Sequence, residues 1–310
     1  MRGDRARSGR PQPPAPLDPL KAGADPLGFR KLWAGQSVSR LGSAVTTFAL
    51  PTAAVVQLHA GAFEVGLLLA VQKAAFPLLG LPAGVWIDRL PRRPVMIGAD
   101  LGRAAALAAV PVAAVSGHLS LSLLYVVAAV MGVLTLFFDV AYLAYLPGLV
   151  GKQELGVANS RMQVSESLAD ITGPGFAGFL AQAAGAAQSI AVDAVSFLAS
   201  ALALGWIRGQ EPRSGQLRQG WWSELREGVG VVFGSPILAS MITLVAAFSL
   251  AGHVGGDILT VFVYRSLRLS PALFGLLLAV EGLAAIGGAL LASRWRSRSA
   301  SAPPWPGPGS

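Results

Sequence analysis

The chain has 310 residues, 53% of them hydrophobic and only 13% charged, with a mean hydropathy of +0.58 and no cysteine. An ordinary soluble domain carries about 25% charged residues, so these proportions exclude both a soluble surface and intrinsic disorder. The missing cysteines exclude a disulfide scaffold, a cysteine-ligated zinc and a thiol nucleophile, while the meaning of the +8 formal charge depends on where the charges sit.

Residues 1–31 are rich in Pro, Arg and Gly and have no hydrophobic period, so they read as a disordered tail. They do not read as a cleavable signal peptide, because no short apolar region separates the charged start from a small-residue cleavage site. Eight apolar segments follow, at 33–58, 64–87, 94–116, 119–145, 159–182, 186–207, 237–263 and 271–293. Each is long enough for a bilayer-spanning helix, which needs about 20 residues. Too few polar positions remain on them to give every helix of a soluble bundle a wet face. Between the sixth and seventh segments, Trp221, Leu225, Val229 and Val232 recur at helical spacing, and Trp221 and Trp222 suit a headgroup zone. The connector 209–236 is therefore expected to hold a short amphipathic helix on the membrane surface. Residues 294–310 lose the apolar period and read as a second disordered tail.

Lys and Arg divide unequally between the two sides of this arrangement. Nineteen of the 24 fall in the N-terminal tail, the 2–3, 4–5 and 6–7 connections and the C-terminal end, whereas only Arg265 and Arg268 fall opposite. The positive-inside rule then places both termini in the cytoplasm, as does the even helix count. The net charge is an orientation signal, and no nucleic-acid partner is expected.

The hexapeptide Gly66–Val71 recurs as Gly275–Val280, an offset of 209 residues. Both copies open the second helix of a set. Segments one to six (32–208) therefore read as one unit, and segments seven and eight (237–293) as the start of a second, as in transporters built from parallel repeats. Four helices of that second unit are not found in this sequence. The expectation is a truncated or frameshifted version of a longer protein, set against a natural eight-helix protein.

The loop after segment two reads Gly84-Val-Trp-Ile-Asp88-Arg89-Leu-Pro-Arg92-Arg93. In spacing, loop number and membrane side it resembles the signature loop of the major facilitator superfamily, with Pro91 where Gly is commoner. Gly84 would let two helices approach closely, and Asp88 could bond basic side chains or a helix N-terminus. The resemblance implies a gating latch between two halves on the cytoplasmic side. The family's partners of this Asp include the eleventh helix, so the latch here would be incomplete. Gly173-Pro174-Gly175-Phe-Ala-Gly178 in segment five resembles the Gly-Pro motif of exporting members, with Ala169 where a further Gly is usual. Trp33–Gly42, Gly98–Arg103, Ala141–Pro147 and Leu155–Asn159 are similar to exporters of the enterobactin- and macrolide-efflux branch.

Ionisable residues inside a membrane are functional candidates because burying them is costly. Asp100 and Arg103 are three apart and can pair along one helix. Lys73 lies well inside segment two, while Arg40 is near enough to the cytoplasmic end to snorkel. Glu166 and Asp170 share a face of segment five and are the leading candidates for carrying protons, since neighbouring carboxylates raise each other's proton affinity. Asp139 is expected to bond Arg161. Asp193, Asp257 and Glu281 sit in segments six, seven and eight. There is no phosphate-binding loop, and His59, His118 and His253 lack metal-ligand spacing, so neither an ATP-driven pump nor a metal site nor any cofactor is implied.

Together these features give an all-α polytopic membrane protein of major-facilitator architecture, not an enzyme. The resemblance implies proton-coupled efflux of a small amphiphilic compound (drug, macrolide or siderophore-like) from a bacterial inner membrane. The implied partners are the lipid bilayer, the substrate and protons, and nothing indicates an oligomer. A non-transporting remnant and an uptake symporter are the rival readings.

Overall fold

The computed structural model describes residues 25–151, 153–207 and 259–299, a few positions between 230 and 244, and along 286–299 the backbone. Seven long helices account for most of them: α1 Pro26–Val56, α2 Ala62–Ile87, α3 Arg92–Val115, α4 Leu121–Val150, α5 Leu155–Ala184, α6 Ala186–Gly205 and α7 Pro271–Ser299. No strand occurs among the described residues. A shorter helical stretch covers 259–265. By length and composition α2, α3, α4 and α6 can each cross a membrane. α1 and α5 are equally long but carry more charge: Arg30, Lys31 and Arg40 on one, Arg161, Glu166 and Asp170 on the other.

Local chemistry sets the helix ends. Asp25 accepts a hydrogen bond from Gly28 N–H at 2.8 Å, and Pro26 takes the first helical turn, where its missing N–H costs nothing. The helix therefore begins at Pro26, and the expected tail 1–31 is too long at its inner end. Glu64 folds back onto Gly61 N–H at 2.9 Å to start α2. Gly151 and Gly185 terminate α4 and α5 at φ +77° and +98°, a backbone region that glycine enters without strain. At the other end of the chain α7 runs to Ser299, past the expected boundary at 293, because the basic residues 294–298 continue a helix as readily as apolar ones do. The amphipathic connector helix and most of segment seven, Asp257 included, lie outside the described residues.

α1 packs on α6 and α5, α6 on α3, α3 on α4, α4 on α2, and α7 on α5. Three apolar clusters result, two of them large. One gathers Phe48, Leu68, Leu107, Leu124, Ile190 and Phe197. The other gathers Phe29, Leu32, Ile87, Met96, Phe138 and Leu204, at the end of the bundle that carries the α2–α3 loop, hereafter the basic end. Between them α1, α3 and α6 contribute a buried polar belt of Gln36, Ser39, Asp100, Arg103, Asp193, Ser196 and Ser200. The outward faces are apolar: Leu78, Leu101, Val112, Val126 and Leu202 are all exposed. Such faces suit hydrocarbon, where only helices and closed barrels satisfy their own backbone.

α5 and α7 cross at two glycines. A Cβ built on Gly178 would collide with the Pro271 carbonyl oxygen and sit 3.0 Å from Gly275 Cα, whereas one on Gly66, the repeat counterpart of Gly275, meets no described atom within 4 Å. Gly178→Ala should therefore lower the thermal midpoint in detergent by the equivalent of about 1–3 kcal/mol, through overpacking. Gly66→Ala should raise or preserve it, because alanine is the better helix former by about 0.5–1 kcal/mol. Equal shifts at the two sites would show that the α5–α7 crossing does not govern stability.

Candidate transport cavity

Four helices enclose a cavity of about 440 Å³ towards the basic end. α1 lends Gln36, Ser37 and Arg40; α2 lends Phe76; α4 lends Asp139, Tyr142 and Leu143; α5 lends Asn159, Met162, Gln163, Ser165 and Glu166. Its lining mixes charge, hydroxyl, amide, aromatic and thioether groups. An amphiphile could rest its apolar body on Phe76, Leu143 and Met162 and its polar groups against the rest.

The centre of the cavity is an ion pair. Arg40 Nη1 lies 3.0 Å from Glu166 Oε1, with both side chains about two-fifths exposed. Nearby, Trp33 Nε1 donates to Ser165 Oγ at 2.9 Å and the Ser37 and Ser165 hydroxyls lie 3.0 Å apart, so α1 and α5 are joined over two turns. Asp139 lines the same space, and the charges acting on it are Arg40, Arg103 and Glu166. The expected partner Arg161 is exposed and is not among them. Asp170, the expected neighbour of Glu166, does not line the cavity. It is exposed one turn beyond Glu166, and Glu166 is in addition paired with Arg40. A cation across the interface competes better for a carboxylate than a like-charged neighbour on the same helix.

The remaining expected site residues scatter. Lys73 is exposed on α2 and does not line the cavity. Asp100 and Arg103 do pair, but they sit behind α1 in the buried belt, with Arg103 stacked between the rings of Phe138 (4.3 Å) and Phe197 (4.2 Å). In the signature loop Asp88 is exposed and forms the C-cap of α2, and Arg89 is also exposed. Arg92 donates to Ala144 O at 3.0 Å. Arg93 donates to Leu204 O at 2.8 Å and Gly205 O at 2.6 Å, meeting the negative end of α6. Gly84 has no described atom within 4 Å of its Cβ direction, so no helix approaches it closely among the described residues. In the α5 motif, Gly173 faces Ala44 of α1, and Gly175 and Gly178 face α7 around Gly275, so Gly173-Pro174-Gly175 and Gly178 form a two-sided packing surface.

Sequence reasoning passed over the cavity's own pattern. Asn159, Gln163 and Glu166 fall at i, i+4 and i+7 on α5, and Gln36 and Arg40 at i and i+4 on α1. A polar stripe inside a membrane-length helix marks the face turned away from lipid.

At the opposite end of α1 the described residues of the 259–265 stretch and α7 meet the bundle. Arg265 Nη2 donates to His59 O at 2.5 Å and Ala60 O at 2.9 Å, and the Thr52 and Tyr264 hydroxyls lie 3.1 Å apart. Phe274 packs against Phe48 at 5.5 Å and edge-on to Tyr264 at 5.6 Å. The profile of the Major Facilitator Superfamily matches residues 32–307. The chain belongs to this superfamily. It is thus an integral membrane protein of a transporter family, one whose members are not enzymes.

Individual relatives are more distant. The chain is 25% identical over 276 residues to the uncharacterized MFS-type transporter YfiS of Bacillus subtilis, covering 88% of this chain and 65% of that protein. It is 26% identical over 208 residues to macrolide efflux protein A of Streptococcus pyogenes, covering 66% and 51%. It is 27% identical over 272 residues to the multidrug efflux pump Tap of Mycolicibacterium fortuitum, covering 84% and 66%. The chain therefore spans between about half and two thirds of the length of these relatives.

The two ion pairs should respond differently to loss of their arginine. Arg40→Gln breaks a half-exposed pair and should change stability by less than about 1 kcal/mol. Arg103→Gln strands Asp100 in the belt and should cost about 3–5 kcal/mol. Thermal unfolding of the purified variants in detergent tests this, and a large loss in Arg40→Gln would make the cavity pair a structural one.

Proposed function

We propose that this protein is a secondary active transporter that exports a small amphiphilic compound in exchange for protons. The observation that carries the reading is the cavity: mixed polar and apolar lining, an Arg40–Glu166 pair with Asp139 beside it, and, among the described residues, contacts of Arg265 and Tyr264 with the α1 end far from it. Alternating access requires a cavity that opens to one side at a time. Superfamily membership and two relatives named as efflux proteins support export. The lining supports an amphiphilic substrate, and a macrolide, another drug or a siderophore-like molecule would all fit that chemistry. Protonation of Glu166 would release Arg40 and part α1 from α5, which gives proton coupling a physical route.

The proposed location is a bacterial inner (plasma) membrane with both termini in the cytoplasm, the basic end facing inward. Its support is the charge asymmetry, since arginines 89, 92 and 93 lie at one end and Arg265 and Arg268 at the other. Here α1–α6 would form one half of the transporter and α7 part of the second.

Inverted membrane vesicles containing the 310-residue chain test the transport reading, with a cationic amphiphilic dye such as ethidium as probe. Acidifying the lumen should drive dye inward. Collapsing the pH gradient should abolish that movement, and Glu166→Gln should slow it at least about tenfold, as expected for losing more than about 1.4 kcal/mol of coupling. Gradient-independent movement would overturn the coupling, and dye movement in the reverse direction would overturn export.

Orientation can be read separately, because the native chain has no cysteine to remove. Single cysteines at Leu90 and His118, both exposed, should react with an impermeant maleimide from opposite sides. In intact cells only the residue 118 position should label; labelling at residue 90 would invert the topology.

A further inference from the structure

The belt behind α1 holds two carboxylates and one guanidinium, all from residues no more than 5% exposed. Arg103 pairs with Asp100. Asp193, fully buried on α6, forms no ion pair with Arg103, although Arg103 is the charge that acts on it. α1 offers it only hydroxyls. Ser43 Oγ is 3.5 Å from Oδ1, and Thr46 Oγ1 faces the carboxylate without closing a hydrogen bond. The α5 charges look elsewhere, Arg161 and Asp170 being exposed and Glu166 in the cavity. Asp139 of α4, on the cavity side, acts on Arg103.

Hydrogen counting then becomes informative. Ser196 Oγ lies 2.8 Å from the main-chain oxygen of Asp193 and 2.9 Å from its Oδ1. One hydroxyl carries one hydrogen and cannot donate to both acceptors at once. A hydrogen on the Asp193 carboxyl completes the set: Ser196 donates to the main chain and accepts from the acid. Asp193 Oδ2 is also buried with no partner, as are Asp100 Oδ2 and Arg103 Nε. An ionised Asp193 would leave one uncompensated negative charge in a membrane interior, a costly arrangement.

We propose that Asp193, seated between Ser43, Thr46 and Ser196 behind α1, is a proton-binding site separate from the cavity carboxylates. The proton comes from the aqueous phase, and the only bond formed is O–H on the carboxyl. Occupied, the site leaves Arg103 to Asp100 alone. Emptied, Asp193 competes for Arg103 and draws α6 towards α3. α1 carries this site on one side and Gln36 and Arg40 on the cavity side, and Gln36 already bonds Ser200 of α6 at 2.9 Å. A change in proton occupancy therefore reaches the cavity through a single helix. Its use in transport rests on the proton-coupled reading above; its existence does not.

Infrared difference spectroscopy of the 310-residue chain in phosphatidylethanolamine–phosphatidylglycerol vesicles, titrated between about pH 4 and pH 9, spans the range in which such a group could change charge. The wild type should show the C=O stretch of a protonated carboxyl in an apolar site. Asp193→Asn should remove that band, and Asp100→Asn should retain it. Persistence in Asp193→Asn, or loss in Asp100→Asn with the fold intact, would overturn the proposal. Asp193→Glu guards against a misfolded amide variant: it should keep the band but move its frequency, and an unmoved band would count against Asp193. The readout needs no flux. If the band behaves as expected while dye movement ignores the pH gradient, the site stands and the coupling reading fails.

Discussion

The arrangement depends on the Arg103–Asp100 pair and the belt around it. An arginine inside a membrane protein must find its partners in protein, because lipid offers none. Arg103 finds a carboxylate one turn away and two aromatic faces, Phe138 from α4 and Phe197 from α6. Those contacts hold three helices at one height. Gln36 with Ser200, and Ser43 with Asp193, bring α1 to the same level. A slip of any of these helices by one turn would strand several polar groups at once. Apolar packing alone is less selective, since leucine and alanine faces can slide with modest loss. The belt thus sets register, and the two large apolar clusters above and below it supply most of the burial.

α1 follows from this constraint. It is polar on two sides at the same depth, one towards α6 and one towards the cavity, and small where it must come close. A Cβ on Gly42 would lie 2.7 Å from Asp193 Oδ1, and one on Gly35 would lie 3.3 Å from Ser200 Cα. A helix so placed cannot move without disturbing both neighbours, which suits a part that links proton occupancy to cavity shape. The contacts at its two ends differ in kind. Towards the basic end α1 meets α5 through a half-exposed ion pair and serine hydroxyls, which water can replace. At the opposite end Phe48 and Thr52 meet Phe274 and Tyr264 through rings and hydroxyls.

Much of the helical framework was legible in the residues. Unbroken apolar runs of about 20 residues select the helix, because the other backbone-satisfying solution in lipid, the closed barrel, uses strands of about 10 residues with alternating polarity. The six segments from 33–58 to 186–207 accordingly match α1 to α6 to within a few residues at most ends. The larger errors were polar ones: α1 starts earlier because Asp25 and Pro26 make a cap from residues that resemble a tail, and α7 runs on through its arginines. The Asp100–Arg103 pair was also legible, being local to one helix.

What the sequence determined by itself was whatever depends on neighbours within a few residues: helix existence, caps, the three-residue ion pair and membrane membership. Tertiary structure alone decided which charge meets which. Glu166 lies four residues from Asp170 but binds Arg40, 126 residues earlier in the chain. Asp139 shares the cavity with Arg40, while Arg161 is exposed. Gly84 meets no described neighbour, while Gly178 meets Gly275. The physical reason is one of range. Hydrogen bonds along a helix reach four residues and are written in the local order of the chain. Ion pairs and helix crossings depend on which faces meet in space, and a helix rotates each successive side chain by about 100 degrees, so small differences in packing angle select different partners.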